Sequence, residues 1–195
     1  MDKDWSEVGK RMREANAKSR GYASFFGWAP NRDLEEYGPV RELSLATAAN
    51  GSPIFDQIQI RGRGNDPPDL EAKDPTGRRV AIEVTELVDG RAIQAFKAGQ
   101  TYDWAEWDRA KFLRELKCRL KSKVARRLKL KGGPYPGGYV IVVFTDEPEL
   151  NKATVAGFLA GNVFECLANG ERAYLLLSYD PETESYPFYP LHAVA

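Results

Sequence analysis

The sequence predicts a single α/β domain with a mixed central sheet. Three observations predict it: apolar and polar residues alternate in strand-like segments of the first half, two continuous apolar runs follow later, and segments with helical periodicity separate them. Alternation is typical of strands with one buried face, and continuous apolar runs are typical of strands buried on both faces. A chain of 195 residues can bury one core of ordinary size without disulfides.

The first third of the chain is predicted to contain two helices. Apolar residues recur at helical spacing after Trp5, which predicts an amphipathic helix over 5–19. A second helix is predicted to begin with Pro39 at its first position, where proline loses no hydrogen bond, and to end before Gly51. A helical turn that starts earlier, around 33–36, is an alternative.

Three antiparallel strands are predicted next, at 54–60, 68–74 and 78–87. A stripe of leucines then predicts a long helix over 108–130 with its basic residues on the remaining faces. The rest of the chain reads as a strand at 137–146, a helix at 152–168, a strand at 172–180 and an irregular tail. This order predicts a three-layer α/β/α arrangement in which a three-stranded meander is followed by a crossover helix.

The domain organisation follows from the same elements. We expect one domain over 1–195, with a helical extension at about 1–32, a core at about 33–180 and the irregular tail at 181–195. The charged N-terminus and the absence of a long apolar run predict a cytoplasmic protein that does not interact with membranes. Two isolated cysteines and a single histidine are too few ligands for a structural zinc site.

Charge is distributed unevenly although the formal net charge is zero. Between positions 108 and 131 stand 11 Lys or Arg residues and only two acids. Such a helix predicts a face that meets nucleic-acid phosphates, and a solvated helix face is the equal alternative. The residues that we expect to contact the backbone of nucleic acid are Lys111, Arg114, Lys117 and Lys121.

The hairpin in "PPDLEAKDPTGRRVAIEVTEL" brings two acids together. If 75–77 is a three-residue loop with glycine in the left-handed conformation, Asp69 lies directly opposite Glu83. Glu71 and Lys73 then share their face, because side chains alternate along a strand. A two-residue loop would shift this register. Two opposed carboxylates repel each other unless a cation lies between them, and paired hard oxygen ligands suit Mg²⁺ or Mn²⁺.

These residues resemble a known motif. "PPD" at 67–69, followed across the hairpin by "IEVT" at 82–85, is similar to the metal-binding core of the PD-(D/E)XK nuclease superfamily, which has the restriction-endonuclease-like fold. The predicted order of elements over about 33–146 also resembles that core. The resemblance implies Mg²⁺-dependent or Mn²⁺-dependent hydrolysis of phosphodiester bonds, with Asp69 and Glu83 as metal ligands.

An additional acid from the preceding helix often joins the metal site in this superfamily. The resemblance therefore implies Glu42 as a further ligand, with Glu35 or Glu36 as substitutes, and Glu71 is a further candidate from the strand itself. The substrate is expected to be DNA rather than RNA. The resemblance also allows a homodimer, because cutting both strands of a duplex usually needs two sites.

The sequence departs from the superfamily pattern at Thr85, where the motif has lysine. Threonine can form hydrogen bonds but supplies no positive charge. One explanation is that Lys73, on the same predicted face, provides the ammonium group and assists the attacking water. The alternative is a nuclease-like module of a defence or mobile-element system that binds nucleic acid without cutting it.

Overall fold

The computed structural model describes residues 32–62, 64–98, 100, 106–167 and 171–192. The helices are α1 (Arg32–Ala49), α2 (Gly90–Lys97), α3 (Arg109–Arg126) and α4 (Lys152–Leu159). The strands are β1 (Asp56–Ile60), β2 (Leu70–Lys73), β3 (Arg79–Glu86), β4 (Tyr139–Thr145), β5 (Arg172–Leu177) and β6 (Phe188–Pro190). Single 3₁₀ turns span Arg127–Lys129 and Glu165–Leu167.

Within the described residues, six strands form one mixed sheet in the order β1-β2-β3-β4-β5-β6. Strands β1, β2 and β3 make an antiparallel meander, β3, β4 and β5 are mutually parallel, and β6 returns antiparallel to β5. The predicted α/β class and mixed sheet are therefore confirmed. Helix α3 lies in the connection between the parallel strands β3 and β4, which is the usual place for a crossover helix.

The hairpin between β2 and β3 has the register that the three-residue loop predicts. Its closing residues are Asp74 and Arg78, and the Asp74 N–H donates to the Arg78 carbonyl at 2.9 Å. Gly77 has a φ of 81°, which only glycine adopts without strain. Leu70 pairs with Ile82, so one further step along each strand brings Asp69 opposite Glu83.

In the part of the chain that the structure describes, two apolar clusters divide the core, one for each face of the sheet. Leu70, Ile82 and Val84 point toward α1, where Val40 and Leu43 are fully buried. The strand residues that alternate with these face α3, in which Phe112, Leu116 and Leu120 are fully buried. Leu70, Ala72, Ile82 and Val84, whose side chains alternate with those of the acids, are all buried in the core.

Helix α1 begins earlier than Pro39. It starts at Arg32 and continues through Pro39, so the main prediction of its start is wrong and the earlier alternative is confirmed. Proline inside a helix removes one backbone hydrogen bond. Burial of the Val40 and Leu43 side chains against the sheet offsets that loss, because most helical stability in proteins comes from packing.

The C-terminal part differs from the prediction in two places. Helix α4 ends at Leu159 rather than 168, because Gly161 follows in the left-handed conformation with a φ of 68°. The tail is not irregular throughout, since Phe188–Pro190 pairs with β5 and Phe188 packs against the sheet. The short helix α2 was not predicted. The N-terminal helix predicted at 5–19 lies outside the described residues.

In the described part of the chain, no helix is both long enough and apolar enough to cross a membrane.

Candidate functional site

Two carboxylates occupy the face of the sheet that α3 covers. Asp69 immediately precedes β2 and is 3% exposed, and Glu83 lies within β3 and is 0% exposed. The Asp69 position is fixed by the Val84 N–H, which donates to Asp69 Oδ2 at 2.9 Å. Two buried carboxylates that face each other across a hairpin would repel strongly, so this arrangement requires nearby positive charge.

Helix α3 supplies that charge from two side chains. Lys123 Nζ lies 3.0 Å from Asp69 Oδ2 and 2.5 Å from Glu83 Oε2. Arg126 reaches the other two oxygens, with Nε 3.2 Å from Glu83 Oε1 and Nη2 3.7 Å from Asp69 Oδ1. We call Asp69, Glu83, Lys123 and Arg126 together the carboxylate–cation cluster.

Lys123 reaches the carboxylates because it continues the buried stripe of α3. Leu116 and Leu120 face the sheet, and position 123 is the next position on the same helical face. The Tyr139 hydroxyl donates to the Lys123 carbonyl at 2.6 Å, which ties this turn of the helix to β4. Asp108 caps the N-terminus of the helix, and its side chain accepts from the Lys111 N–H at 2.7 Å.

The two acids of the cluster differ in their tendency to hold a proton. Burial opposes the ionisation of Asp69, but the Lys123 ammonium, the Val84 N–H and Arg126 together hold its pKa below the ordinary value. Burial raises the pKa of Glu83 to about 7, and the Asp69 charge adds to this rise while Lys123 and Arg126 oppose it. A proton that binds to the pair would therefore bind to Glu83 rather than to Asp69.

The donor atoms suit a hard divalent cation. All four donor oxygens belong to carboxylates, and the buried Glu83 Oε1 accepts no hydrogen bond in the described part of the protein. The described residues contain no group of three or more His, Cys, Asp or Glu side chains arranged around a common metal position. Two carboxylates are nevertheless enough for Mg²⁺, which keeps several waters and binds substrate phosphate in its other positions.

Thr85 and Lys73 share the α3 face of the hairpin with the pair, but neither supplies its positive charge. Thr85 is half-buried in β3, two residues beyond Glu83. Lys73 is exposed at the end of β2, four residues from Asp69, which corresponds to about 13 Å along a strand. Lys123, rather than the expected Lys73, therefore contacts both carboxylates.

Glu71 lies on the expected face and is held by arginines. It forms ion pairs with Arg61 and Arg79, and the Tyr135 hydroxyl donates to it at 2.9 Å. Although burial opposes its ionisation, these partners lower the pKa of Glu71 below its ordinary value. This carboxylate organises a neighbouring basic group instead of joining Asp69 and Glu83 in the described structure.

The acids of helix α1 belong to the other side of the sheet. Glu42 pairs with Arg41 at 2.5 Å, on the helix whose apolar side chains pack against the face opposite the carboxylate pair. Glu35 lies near Glu86, where burial and the charge of Asp146 raise the pKa of Glu86 to about 7. The structure therefore does not bring Glu42 or Glu35 to the carboxylate–cation cluster, and Glu36 is buried on the same helix.

The four basic residues expected to meet nucleic acid occupy different settings on α3. Lys111 is drawn inward, with Nζ 2.8 Å from Asp89 Oδ2 and 4.5 Å from the centre of the Trp107 ring. Arg114 is exposed and pairs with Glu115 at 3.3 Å, whereas Lys117 and Lys121 are exposed on the helix. Trp107 itself is buried in the core.

Sequence patterns missed the two cations that complete the cluster. A signal existed for Lys123, because it stands three residues after Leu120 on a stripe that is otherwise apolar. Arg126 follows one turn later and had no comparable signal.

Comparison of the chain with protein families, curated proteins and solved structures finds no match.

Proposed function

We propose that this protein is a metal-dependent nuclease that hydrolyses phosphodiester bonds, with DNA as its preferred substrate. The observation that carries the proposal is the contact of one lysine, Lys123, with two buried and opposed carboxylates, Asp69 and Glu83. Burying several charged groups together costs desolvation free energy. Such clusters of buried charges concentrate at functional sites.

The fold is compatible with a restriction-endonuclease-like core, which is part of the proposal. A helix precedes an antiparallel meander, and a crossover segment containing α3 leads to the parallel strand β4. Helices α1 and α3 pack against opposite faces of the sheet, as a three-layer arrangement requires. The carboxylate pair lies at the second and third strands of the meander, where the PD-(D/E)XK resemblance puts it.

Lys123 supports the proposal because it would supply the positive charge that the motif lysine carries and Thr85 lacks. A cation that neighbours both carboxylates can stabilise the negative charge that develops on a phosphate during hydrolysis. The helix supplies this group from the covering layer, 38 positions after Thr85 in the chain. In this assignment Lys123 takes the role that was expected of Lys73, and Thr85 keeps at most a hydrogen-bonding role.

Asp69 and Glu83 are the residues that would hold Mg²⁺ or Mn²⁺. A bound cation of this type supplies Lewis acidity toward phosphate and lowers the pKa of a bound water. The chain itself contributes the buried carboxylates that fix the position of the ion, the Lys123 ammonium beside them and the apolar surroundings that strengthen both. The exposed basic residues of α3 would attract the nucleic-acid backbone.

The test is cleavage of labelled single-stranded DNA, double-stranded DNA and RNA in the presence of Mg²⁺, Mn²⁺ or EDTA. Asp69→Asn and Glu83→Gln preserve shape while removing the charge of each proposed ligand, so we expect both to abolish metal-dependent cutting. Glu42→Gln provides the matched control, because it removes an acid on the other side of the sheet. Undiminished cutting by folded Asp69→Asn and Glu83→Gln proteins would exclude the proposed site.

A nucleic-acid-binding module without catalysis is the second candidate. The observation that favours it is the charge balance of the carboxylate–cation cluster, in which Lys123 and Arg126 match the two carboxylates without a metal ion. In that case the cluster would be a structural ion-pair network. Salt-sensitive binding of DNA that is unchanged by EDTA and by Asp69→Asn, together with no cleavage, would favour this candidate.

A further inference from the structure

The two cations of the cluster hold different sides of the carboxylate pair. Lys123 contacts Asp69 Oδ2 and Glu83 Oε2, and Oδ2 also accepts the Val84 N–H. Arg126 lies against the remaining oxygens, Asp69 Oδ1 and Glu83 Oε1. A metal ion that binds both residues without displacing Lys123 must therefore approach the side where Arg126 lies.

Arg126 is the less firmly held of the two cations. Its contacts with the pair measure 3.2 and 3.7 Å, whereas those of Lys123 measure 2.5 and 3.0 Å. Its side chain is 31% exposed and that of Lys123 is 11% exposed. Glu83 Oε1 also accepts no hydrogen bond from the described residues, although Arg126 Nε is close to it. Arg126 can therefore leave at a smaller cost than Lys123.

The guanidinium of Arg126 also extends away from the pair. Its Nη2 atom lies 3.7 Å from Asp66 Oδ2, in the half-exposed loop before β2. A guanidinium at the edge of a site fits phosphate oxygens with two parallel hydrogen bonds, and such charge-assisted bonds are stronger than neutral ones. A phosphate that arrives from solvent would thus compete with the carboxylates for Arg126.

We infer that Arg126 occupies the metal-binding side of the carboxylate pair in the free protein and that a nucleic-acid phosphate draws it away, so that metal and nucleic acid bind cooperatively. This inference rests on the proposed nuclease function and names how that site is regulated. The physical reason is exclusion: a guanidinium and a divalent cation repel each other and cannot neutralise the same two oxygens together. Linkage then requires that each ligand strengthen the binding of the other by the same factor.

The experiment measures the binding of Mn²⁺ by electron paramagnetic resonance, with and without a short phosphorothioate DNA that keeps its charge and resists cleavage. For the wild-type protein we expect the DNA to tighten Mn²⁺ binding by about 5–150-fold, the usual range of coupling between two sites. In Arg126→Gln we expect tighter Mn²⁺ binding without DNA and a much smaller gain when DNA is added.

Controls separate the role of Arg126 from a general loss of charge. Lys129→Gln removes one exposed positive charge near the end of α3, and we expect it to leave both Mn²⁺ affinities unchanged. Arg126→Met also removes the positive charge and keeps an unbranched side chain, and it replaces Arg126→Gln if that variant does not fold. In EDTA, Arg126→Gln should also bind the phosphorothioate DNA more weakly than Lys129→Gln does.

The outcomes distinguish the inference from the function on which it rests. If Mn²⁺ binds in a way that Asp69→Asn abolishes, but the Arg126 variants bind it no more tightly than wild type, the gating role of Arg126 is wrong and the metal site stands. If neither wild type nor Arg126→Gln binds Mn²⁺ under any condition, both the proposed metal site and this inference fail. Tighter Mn²⁺ binding in Arg126→Gln, with reduced coupling to DNA, supports the inference.

Discussion

Lys123 Nζ lies 2.5 Å from Glu83 Oε2, although the two residues are 40 positions apart in the sequence. The contact joins the middle of β3 to the last turns of α3, across the apolar layer that binds the helix to the sheet. Each of the two charges needs a counter-charge, because the Glu83 carboxylate is fully buried and the Lys123 side chain is nearly so. Their pairing ties the packing of α3 to the electrostatics of the proposed site.

Replacing Lys123 tests whether this cation takes part in the chemistry. We expect Lys123→Met to reduce nuclease activity by about 10²–10³-fold, which is typical when one group that stabilises charge is removed. Its thermal stability should also fall, because a buried carboxylate pair loses its nearest counter-charge. Initial cleavage rates and a thermal melt measure the two effects. Lys73→Met is the matched control, and an equal loss of activity in that variant would return the catalytic lysine to position 73.

The hairpin loop depends on Asp74. Its carboxylate accepts from the Thr76 hydroxyl at 2.7 Å, the Thr76 N–H at 2.9 Å and the Arg78 N–H at 2.9 Å, and these bonds hold its pKa well below the ordinary value. A lowered pKa means that the stabilisation is present above the ordinary value of 3.8 and is lost as pH falls through the folded pKa.

We therefore expect Asp74→Ala to lower the melting temperature by several degrees at neutral pH, with a smaller difference from wild type in strong acid. Thermal melts at several pH values measure this. The neighbouring Thr76→Val variant removes only the hydroxyl contact and leaves the other hydrogen bonds to Asp74, so it should have a smaller effect. A melting temperature of Asp74→Ala equal to that of wild type at pH 7 would contradict the assigned role of the loop.

The acids at the ends of β3 and β4 predict a second pH effect. Burial raises the pKa of Asp146 to about 7, with a contribution from Glu147, and Asp146 Oδ1 is buried without a hydrogen bond from the described residues. Because the pKa of Asp146 is higher in the folded state, the unfolded chain loses this proton at a lower pH than the folded protein does. The free energy of unfolding therefore declines as pH rises from 3.8 to about 7.

Asp146→Asn removes that ionisation. We expect the variant to melt higher than wild type at pH 8 and at nearly the same temperature at pH 4, as measured by circular dichroism. Glu184→Gln changes the same charge at an exposed turn and serves as the control. A constant difference between Asp146→Asn and wild type across this pH range would show that Asp146 does not titrate with a raised pKa.

Two glycines give opposite predictions for the same substitution. A Cβ atom at Gly137 would lie 2.8 Å from the Arg79 carbonyl oxygen and 2.9 Å from that of Arg78, whereas at Gly157 it would meet nothing within 4 Å. We expect Gly137→Ala to destabilise the protein by about 1–3 kcal/mol through overpacking against β3. Gly157→Ala, in helix α4, should stabilise it by about 0.5–1 kcal/mol.

Chemical denaturation measures both free energies of unfolding. Equal effects of the two substitutions would contradict the close approach of Gly137 to the backbone of β3.

The elements predicted most successfully are those whose local pattern agrees with their place in the core. The leucine stripe of α3 and the apolar run of β4 are buried as expected. The hairpin register also followed from local chemistry, because Gly77 permits the left-handed turn that closes a three-residue loop. The start of α1 was predicted less well. Local rules favour Pro39 as the first residue of a helix, but packing of Val40 and Leu43 stabilises a helix that contains this proline in its interior.

The sequence by itself determined the α/β class and predicted the opposition of Asp69 and Glu83 for a three-residue hairpin loop, because both follow from periods and turns that span a few neighbouring residues. Only the tertiary structure decided which cations meet those carboxylates. Lys123 and Arg126 reach the pair because α3 packs across the sheet, while Lys73 stays at the far end of its strand and Glu42 lies on the helix of the opposite face. Contacts between distant segments depend on how helices dock on a sheet, and docking is set by the whole core rather than by the spacing of residues along one segment.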